Sequence, residues 1–349
     1  MEIKEILLYN FRNFAYEKAK ITPGLNLILG ENGAGKTNFL EALSFIYTGK
    51  GFGDPGEKVL KIGEEKGGVM GEFKEGVRSL RKVVYVEGSG FKREINNKFV
   101  YRMNHFKTHN IVYFSPYDTL LIDGSPDNRR KFFDEIISTV SDKYERNLRD
   151  YYKLIRYRNQ YLKNYSNPFR YLDIEDETII NLNHSIDELR KKYLELIIKR
   201  ANIHLKDIEP AWKIEAVVTN SWDTEDTFSF REKVKYEDLR RKSTTWGISK
   251  DDFNIIFNGN QAKFTASRSQ KRATVIALKL ASLDLFDKLS GKKSILLLDD
   301  LLYEFDKNRD ESVQEKIKNY DAFATSTRNI EADNVIYIEK GKVIYNGKK

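Results

Sequence analysis

The sequence of 349 residues contains no cysteine and only four histidines. The absence of cysteine excludes disulfides and thiolate metal sites, and the scattered histidines favour surface or capping roles over metal ligation. No run of about 18 uninterrupted apolar residues is present, so no segment is expected to span a membrane. The N-terminus, Met1-Glu2-Ile3-Lys4-Glu5, carries charge where the apolar part of a signal peptide would lie. The composition is that expected of a cytoplasmic protein.

Charged residues are abundant, with a modest excess of basic ones. Lys plus Arg number 60 against 52 Asp plus Glu, which gives a net charge of +8 and an isoelectric point near 9.1. This excess permits binding to an anionic polymer without requiring it. The length allows one large domain or two or three ordinary ones.

The most informative segment, residues 30–37, matches a phosphate-binding loop. It fits G-x-x-x-x-G-K-[ST] at every fixed position. The apolar run Leu25–Leu29 precedes it and a helical pattern follows it, which argues against a Gly-rich turn that matches by chance. The predicted nucleotide-contacting residues are Gly30, Glu31, Asn32, Gly33, Ala34, Gly35, Lys36, Thr37 and Asn38.

The residue types of this loop have a chemical explanation. Glycines let backbone N–H groups close around phosphate oxygens, and the helix N-terminus adds a partial positive charge. Lys36 is expected to neutralise the β- and γ-phosphates and to assist catalysis, and Thr37 is expected to offer its hydroxyl to Mg²⁺. The loop therefore predicts binding of a nucleoside triphosphate.

Residues 295–300 form an apolar run that ends in two carboxylates, as a Walker B element requires. A buried strand would place Asp299 beside the phosphate loop, where it could hold Mg²⁺, and Asp300 where it could orient or deprotonate the attacking water. A core strand followed by an acidic turn is the alternative. The intact phosphate loop in the same chain favours the functional interpretation.

A small polar segment, residues 265–270, precedes a helical apolar pattern. Such a turn at a helix N-terminus is an anion site. An ordinary N-cap, with Ser267 or Ser269 as the capping side chain, is equally compatible with the spacing. Spacing alone leaves the two interpretations open.

The chain changes character along its length. Short strand patterns with Gly-rich breaks fill the N-terminal part up to residue 114, and helical periodicity dominates residues 125–206. Strand-like patterning returns over residues 208–230. Further strands are expected at residues 294–298, 322–325, 335–339 and 343–345.

These segments together resemble the ABC-type ATPase heads of the SMC and RecF families, and the RecF family most closely. Any one motif is weak, but their order and spacing over nearly the whole chain are specific. About 230 residues separate Thr37 from Ser267, too many for a transporter ATPase and far too few for SMC coiled-coil arms. The motifs that carry the resemblance are Asn10-Phe11-Arg12-Asn13, residues 23–26, Phe114-Ser115-Pro116, Gly124-Ser125-Pro126, Arg129-Arg130, Phe133-Asp134-Glu135, Leu298-Asp299-Asp300, Glu304-Phe305-Asp306 and Ala324-Thr325-Ser326-Thr327.

The resemblance implies an α/β fold, namely an ABC-type ATPase head of the P-loop NTPase class with an inserted, mainly helical lobe. Residues 1–115 and 208–349 would form the discontinuous head and 116–207 the lobe. It further implies ATP and Mg²⁺ as cofactors, Arg12 at the nucleotide, and Ser267 and Gln270 on the ATP of a second subunit. Hydrolysis would be slow, because Asp300 is shorter than the glutamate of most such heads.

The sequence departs from the family pattern at the signature S-x-G-Q and at the Q-loop. Ser269 replaces the signature glycine, and its bulk and restricted φ bear on how strongly two subunits engage. Ser115 stands where the Q-loop glutamine would be, so no residue is assigned to that position.

The resemblance also implies an ATP-dependent homodimer that clamps DNA without sequence specificity, on duplex or on a single/double-strand junction, together with other recombination mediator proteins. One predicted helix face offers separate support for DNA binding, because basic residues recur along it. Acidic neighbours dilute the charge of this face. The alternative is a solvated helix face whose tyrosines belong to the core. A second basic cluster, Arg240-Arg241-Lys242, has the same ambiguity. The candidate DNA-contacting residues are Arg146, Arg149, Lys153 and Arg156, with interleaved tyrosines and Arg158 nearby.

Two other kinds of protein stay open on sequence alone. One is a transporter ATPase subunit, which the distance between the phosphate loop and the signature disfavours. The other is the ATPase of a nuclease system, although this chain has no room for a separate nuclease domain.

Overall fold

A computed structural model describes residues 1–52, 59–87, 90–165, 173–291, 293–300, 317 and 320–347. Contacts divide the chain into two compact units, Met1–Pro116 with Gly291–Lys349, and Tyr117–Ser290. The helical segment expected at 116–207 falls almost wholly in the second unit, which also takes in residues 208–290. The lobe boundary at residue 207 stays a prediction.

The first unit begins with eight strands and two helices among its described residues. The strands are β1 Glu2–Phe11, β2 Phe14–Lys20, β3 Leu25–Leu29, β4 Lys66–Glu75, β5 Arg78–Glu87, β6 Gly90–Ile95, β7 Lys98–Phe99 and β8 Asn110–Phe114. The helices are α1 Lys36–Thr48 and α2 Met103–Phe106.

The second unit is mainly helical, with three strands among its described residues. Its helices are α3 Leu120–Asp123, α4 Pro126–Val140, α5 Asp142–Asn164, α6 Asp173–Ile208, α7 Thr227–Arg241, α8 Ala262–Thr265 and α9 Arg268–Leu289. Its strands are β9 Ile214–Thr219, β10 Asp252–Phe257 and β11 Asn260–Gln261. The chain then returns to the first unit with β12 Ser294–Leu298, β13 Asp321–Ser326, β14 Asn334–Glu339 and β15 Lys342–Gly347.

A mostly parallel sheet of order β15-β14-β3-β13-β12-β8 forms the centre of the first unit. Every residue of β3 and β12 is buried, which accounts for their mainly apolar sequence, because parallel strands covered on both faces need no polar alternation. Since β3, β13, β12 and β8 run parallel, the turns that follow these strands lie at one edge of the sheet.

A second, antiparallel sheet of order β2-β1-β4-β5-β6-β7 belongs to the same unit. Its apolar side chains and those of α1 form one core with the parallel sheet, as the buried Ile6, Phe39 and Ile336 show. This core holds the beginning of α1, and therefore the loop that precedes it, against the edge of the parallel sheet.

Ion pairs lie inside the second unit. Arg158 is fully buried and bonds to Asp176 at 2.6 Å and to Asp238 at 2.7 Å. The expectation that Arg158 adds charge to a surface stripe is therefore wrong. Its sequence position among exposed basic residues concealed that it points into the core, where its carboxylate partners come from α6 and α7.

Most predicted elements are present, but two expectations need correction. The first part of the helical pattern of residues 125–206 is divided into two helices, because Ser141 ends α4 and its hydroxyl accepts a hydrogen bond from the Tyr144 N–H to begin α5. The strand-like pattern of residues 208–230 extends too far, since β9 ends at Thr219 and the Asp226 side chain caps α7. Over the described residues, no helix is long and apolar enough to cross a membrane.

Candidate nucleotide site

The phosphate loop joins the buried strand β3 to α1, and its glycines meet specific steric demands. A Cβ at Gly30 would lie 2.3 Å from the carbonyl oxygen of Ile338, so no side chain fits there. Gly35 precedes α1 with φ of 116°, a left-handed conformation that favours glycine. The Gly30 N–H donates to the Ser326 carbonyl at 3.2 Å, which fixes the start of the loop to the end of β13.

Lys36 lies at the first position of α1 and only 5% of its surface is exposed. Its Nζ donates to the carbonyl oxygens of Gly30 at 2.9 Å and Glu31 at 3.1 Å. The ammonium group is therefore held at the loop by the loop's own backbone, at a place where a phosphate oxygen could take over these bonds.

The phosphate loop and the end of β12 meet through Thr37 and Asp299. The Thr37 hydroxyl lies 3.0 Å and 2.9 Å from the two carboxylate oxygens of Asp299, which is 5% exposed. Tyr113 donates its hydroxyl to Asp299 Oδ2 at 3.1 Å, and Thr325 lies 2.8 Å from Oδ1. The sequence interpretation placed Thr37 and Asp299 side by side, and the structure brings them together.

Asp300 follows at the exposed edge of the sheet with φ of 52°. This left-handed conformation is uncommon outside glycine, although aspartate tolerates it better than most residues. The Asp300 N–H donates to the Thr325 hydroxyl at 2.9 Å. The chain thus turns sharply between a buried carboxylate and an exposed one.

The motif of residues 10–13 supports the phosphate loop through Asn13. Asn13 donates to the Ala34 carbonyl at 2.9 Å and accepts from the Asn38 side chain at 2.9 Å. Arg12 instead makes a bidentate pair with Glu41 of α1, at 2.7 Å and 2.9 Å. Asn38, predicted as a nucleotide contact, therefore braces the loop, and Arg12 is fastened to the helix that the loop begins.

The predicted signature residues start α9 in the second unit. Ser267 is the N-cap, and with Gln270 it forms a capping box: the Ser267 N–H donates to Gln270 Oε1 at 2.8 Å and the Gln270 N–H donates to the Ser267 hydroxyl at 3.3 Å. The N-cap interpretation is thus correct for Ser267. Ser267 is also exposed, which leaves its other face accessible.

Ion pairs anchor α9 to the segment that opens the second unit. Lys271 bonds to Asp123 at 2.6 Å, and Lys279 is paired with Asp118. Burial lowers the pKa of Lys279, while the Asp118 carboxylate opposes that shift. These contacts fix the start of α9, and with it Ser267, relative to α3.

The candidate DNA-contacting residues share one face of α5. Arg146, Arg149, Lys153 and Arg156 are all exposed, as the helical spacing predicts. Among the interleaved tyrosines, Tyr144 and Tyr151 are buried in the core and Tyr157 is 43% exposed. The second cluster is weaker, because Arg240 and Arg241 are both paired with Glu237.

The donor set at the edge of the parallel sheet suits Mg²⁺. This ion prefers a few hard oxygen ligands and completes its shell with water and phosphate, and Thr37 and Asp299 supply a hydroxyl and a carboxylate already in contact. The segment Glu304-Phe305-Asp306, one of the motifs that carry the family resemblance, lies outside the described residues.

Sequence reasoning missed the contacts of four residues at this site: Tyr113, Thr325, Asn13 in its bracing role, and Glu41. Tyr113 could have been found from its place at the end of β8, since that strand neighbours β12 in register. Glu41 carried no signal, because a glutamate on a helix is ordinarily solvated, whereas this one is 5% exposed.

Comparison with known proteins agrees with this geometry. The model of an AAA domain family matches residues 5–334. The DNA replication and repair protein RecF of Caldanaerobacter subterraneus subsp. tengcongensis is 31% identical over 366 aligned positions, covering 99% of this chain and all of the relative.

Solved structures of RecF and of an Smc head domain are also similar to this chain. The recombination mediator protein RecF–ATP of the RecFOR pathway superposes with a TM-score of 0.87 at 29% identity, covering 97% of this chain and 96% of that one. The Smc head domain of Pyrococcus furiosus gives a TM-score of 0.56 at 16% identity, over 97% and 94% of the two chains, and shows the fold alone.

The phosphate loop and the Asp299 carboxylate meet at the edge of a parallel sheet, and one strand, β13, lies between their strands β3 and β12. This is the arrangement of a P-loop NTPase, and the fold is that of an ABC-type ATPase head. Within that class the match to RecF extends over nearly the full length of both chains. The chain belongs to the RecF family.

Proposed function

We propose that this chain is an ATP-dependent DNA-binding protein of recombinational repair and replication-fork maintenance. ATP drives two copies together on DNA, and slow hydrolysis releases them. The contact of Thr37 with both oxygens of Asp299 is the observation that carries the proposal, because it joins the two halves of a nucleotide site. The similarity to RecF, and to a recombination mediator of the RecFOR pathway, supports recombination mediator proteins as further partners.

ATP binds with its phosphates on the loop of residues 30–37 and with Lys36 on the β- and γ-phosphates. Thr37 and Asp299 hold Mg²⁺, which would neutralise charge on the phosphates when bound. The RecF–ATP structure supports this choice of nucleotide, since it covers nearly all of this chain.

Asp300 acts as the base or as the orienting group for the attacking water. It is exposed at the sheet edge, one residue beyond the buried Asp299, and therefore faces the side on which water is available. We expect turnover to be weak, because an aspartate reaches less far than a glutamate. We also expect DNA to stimulate turnover.

Dimerisation completes the site. Ser267 is exposed at the N-terminus of the 22-residue helix α9, where backbone N–H groups and the helix dipole favour an anion. Ser267 would meet the γ-phosphate bound by the other copy, so closure and ATP binding favour each other.

DNA lies against the exposed basic face of α5. The four basic side chains can neutralise backbone phosphates, which gives affinity without base recognition. DNA as the ligand implies the cytoplasm as the place of action.

The first prediction concerns Lys36→Ala. Losing two or more charge-assisted phosphate bonds should weaken ATP binding by about 100-fold or more, at roughly 1.5–3 kcal/mol each. The measurement is calorimetric titration with ATP, and thermal unfolding checks the fold. Lys50→Ala, an exposed lysine just beyond α1, serves as the control and should bind normally. Tight ATP binding by folded Lys36→Ala would remove the nucleotide assignment.

The second prediction concerns Asp300→Asn. The amide keeps the size of the side chain but cannot accept a proton, so turnover should fall at least about 100-fold while ATP binding persists. Single-turnover hydrolysis and equilibrium binding separate the two. Hydrolysis at the wild-type rate would show that Asp300 is not the base.

The third prediction concerns closure. Sedimentation velocity should show a monomer or weak dimer without nucleotide and a closed dimer with a non-hydrolysable ATP analogue. Ser267→Arg should block closure by bulk and leave ATP binding by each monomer intact. Ser290→Arg, the same change at the other end of α9, is the matched control. An unchanged distribution with the analogue bound would rule out the clamp.

The fourth prediction concerns DNA. The double variant Lys153→Glu/Arg156→Glu should weaken DNA binding and lower the salt dependence by about two phosphate contacts. Lys199→Glu/Lys206→Glu on α6 changes the net charge equally at exposed positions and should bind nearly as the wild type does. Equal losses in both doubles would mean that only net charge matters and that α5 is not the contact.

A further inference from the structure

Thr325 lies where the two halves of the nucleotide site meet. It is on β13, between the phosphate-loop strand β3 and the Walker B strand β12, and its neighbour Ala324 pairs in register with Leu298. Thr325 is 1% exposed. A hydroxyl buried this deeply needs hydrogen-bond partners, and both of the nearest carboxylate residues provide them.

The Thr325 hydroxyl joins Asp299 to Asp300. Its oxygen lies 2.8 Å from Asp299 Oδ1 and accepts the Asp300 N–H at 2.9 Å. A hydroxyl has one proton to donate and two lone pairs to accept with. The short contact to Asp299 uses the proton, and the bond from Asp300 uses a lone pair. Asp300 Oδ1, at 3.4 Å, is the more distant neighbour.

The backbone of Asp300 requires such a restraint. Its φ of 52° is left-handed, and a non-glycine residue keeps this conformation only where its surroundings over-determine it. The acceptor on Thr325 binds the N–H of this residue directly. The direction in which the Asp300 carboxylate leaves the sheet edge therefore depends on that hydroxyl.

We propose that Thr325 is a positioning residue for hydrolysis, which fixes the left-handed turn at Asp300 and ties it to Asp299. This inference rests on the proposed role of Asp300. Thr37 of the phosphate loop also bonds to Asp299. The loop is therefore linked to Asp300 through the Asp299 carboxylate and the Thr325 hydroxyl. Thr325 is itself buried, and the role proposed for it acts through Asp299 and Asp300.

The test compares Thr325→Val with Thr325→Ser. Valine keeps the shape and removes the hydroxyl, whereas serine keeps the hydroxyl. Thr274→Val is the matched control, because Thr274 is fully buried in α9 and its hydroxyl has no hydrogen-bond partner among the described residues. Each variant is measured for turnover, for ATP affinity and for exchange of the Asp300 amide in protein labelled with ¹⁵N-aspartate.

Thr325→Val should lose at least about tenfold in kcat, a fraction of the 10²–10⁴ that a general base supplies, with ATP affinity changed less than about threefold. The Asp300 amide should exchange faster. Thr325→Ser should restore both, and Thr274→Val should match the wild type. In an Asp300→Asn background, Thr325→Val should cause little further loss, because the group that it positions is already removed.

Wild-type kcat in Thr325→Val would overturn the inference, as would equal losses of affinity and kcat that serine does not rescue. Unchanged amide exchange would also overturn it, since the proposed bond would then be absent. These results leave the proposed function intact if Asp300→Asn is inactive. Hydrolysis by Asp300→Asn at the wild-type rate would instead overturn the proposed role of Asp300.

Discussion

The candidate nucleotide site depends on keeping one carboxyl group, that of Asp299, inside the protein. A carboxylate removed from water is very costly unless hydrogen bonds replace its hydration. Thr37, Tyr113 and Thr325 supply hydroxyls from three separate parts of the chain. They converge because α1 and the strands β8 and β13 all present residues at the edge where β12 ends. The strand order of the sheet thus brings to Asp299 the hydroxyl groups that bond to its buried side chain.

The sequence predicted the parts of this site whose signals are local. A phosphate loop lies within eight consecutive residues, and β3 and β12 have the predicted bounds because continuous burial makes most of their positions apolar. The contacts of Thr325 and Tyr113 leave no signal in the local sequence, since each residue bonds to one more than twenty positions away. Only the pairing of β13 and β8 with β12 brings them there. The structure also settles Ser267 as an N-cap, which spacing alone left open.

Basic residues on α5 show a second limit of sequence reasoning. Arg156 and Arg158 are two positions apart, yet one is exposed and the other is fully buried between Asp176 and Asp238. Residue type cannot separate them, because arginine serves both as a solvated charge and as a buried partner of carboxylates. The partners lie on α6 and α7, far along the chain. Helical phase would have separated the two, had the buried side of α5 been assigned first from Tyr144 and Tyr151.

The residues proposed for the dimeric site come from both compact units, which bears on the proposed reaction cycle. The phosphate loop, Asp299 and Asp300 belong to the first unit, whereas the proposed γ-phosphate contact, Ser267, belongs to the second. If Ser267 must come from another copy, a lone chain can bind ATP but lacks one side of the γ-phosphate site. In the proposed mechanism, turnover then requires association, and slow hydrolysis would prolong it. The proposed base, Asp300, has a short side chain and is held at its backbone N–H by Thr325, which would favour such a long-lived state.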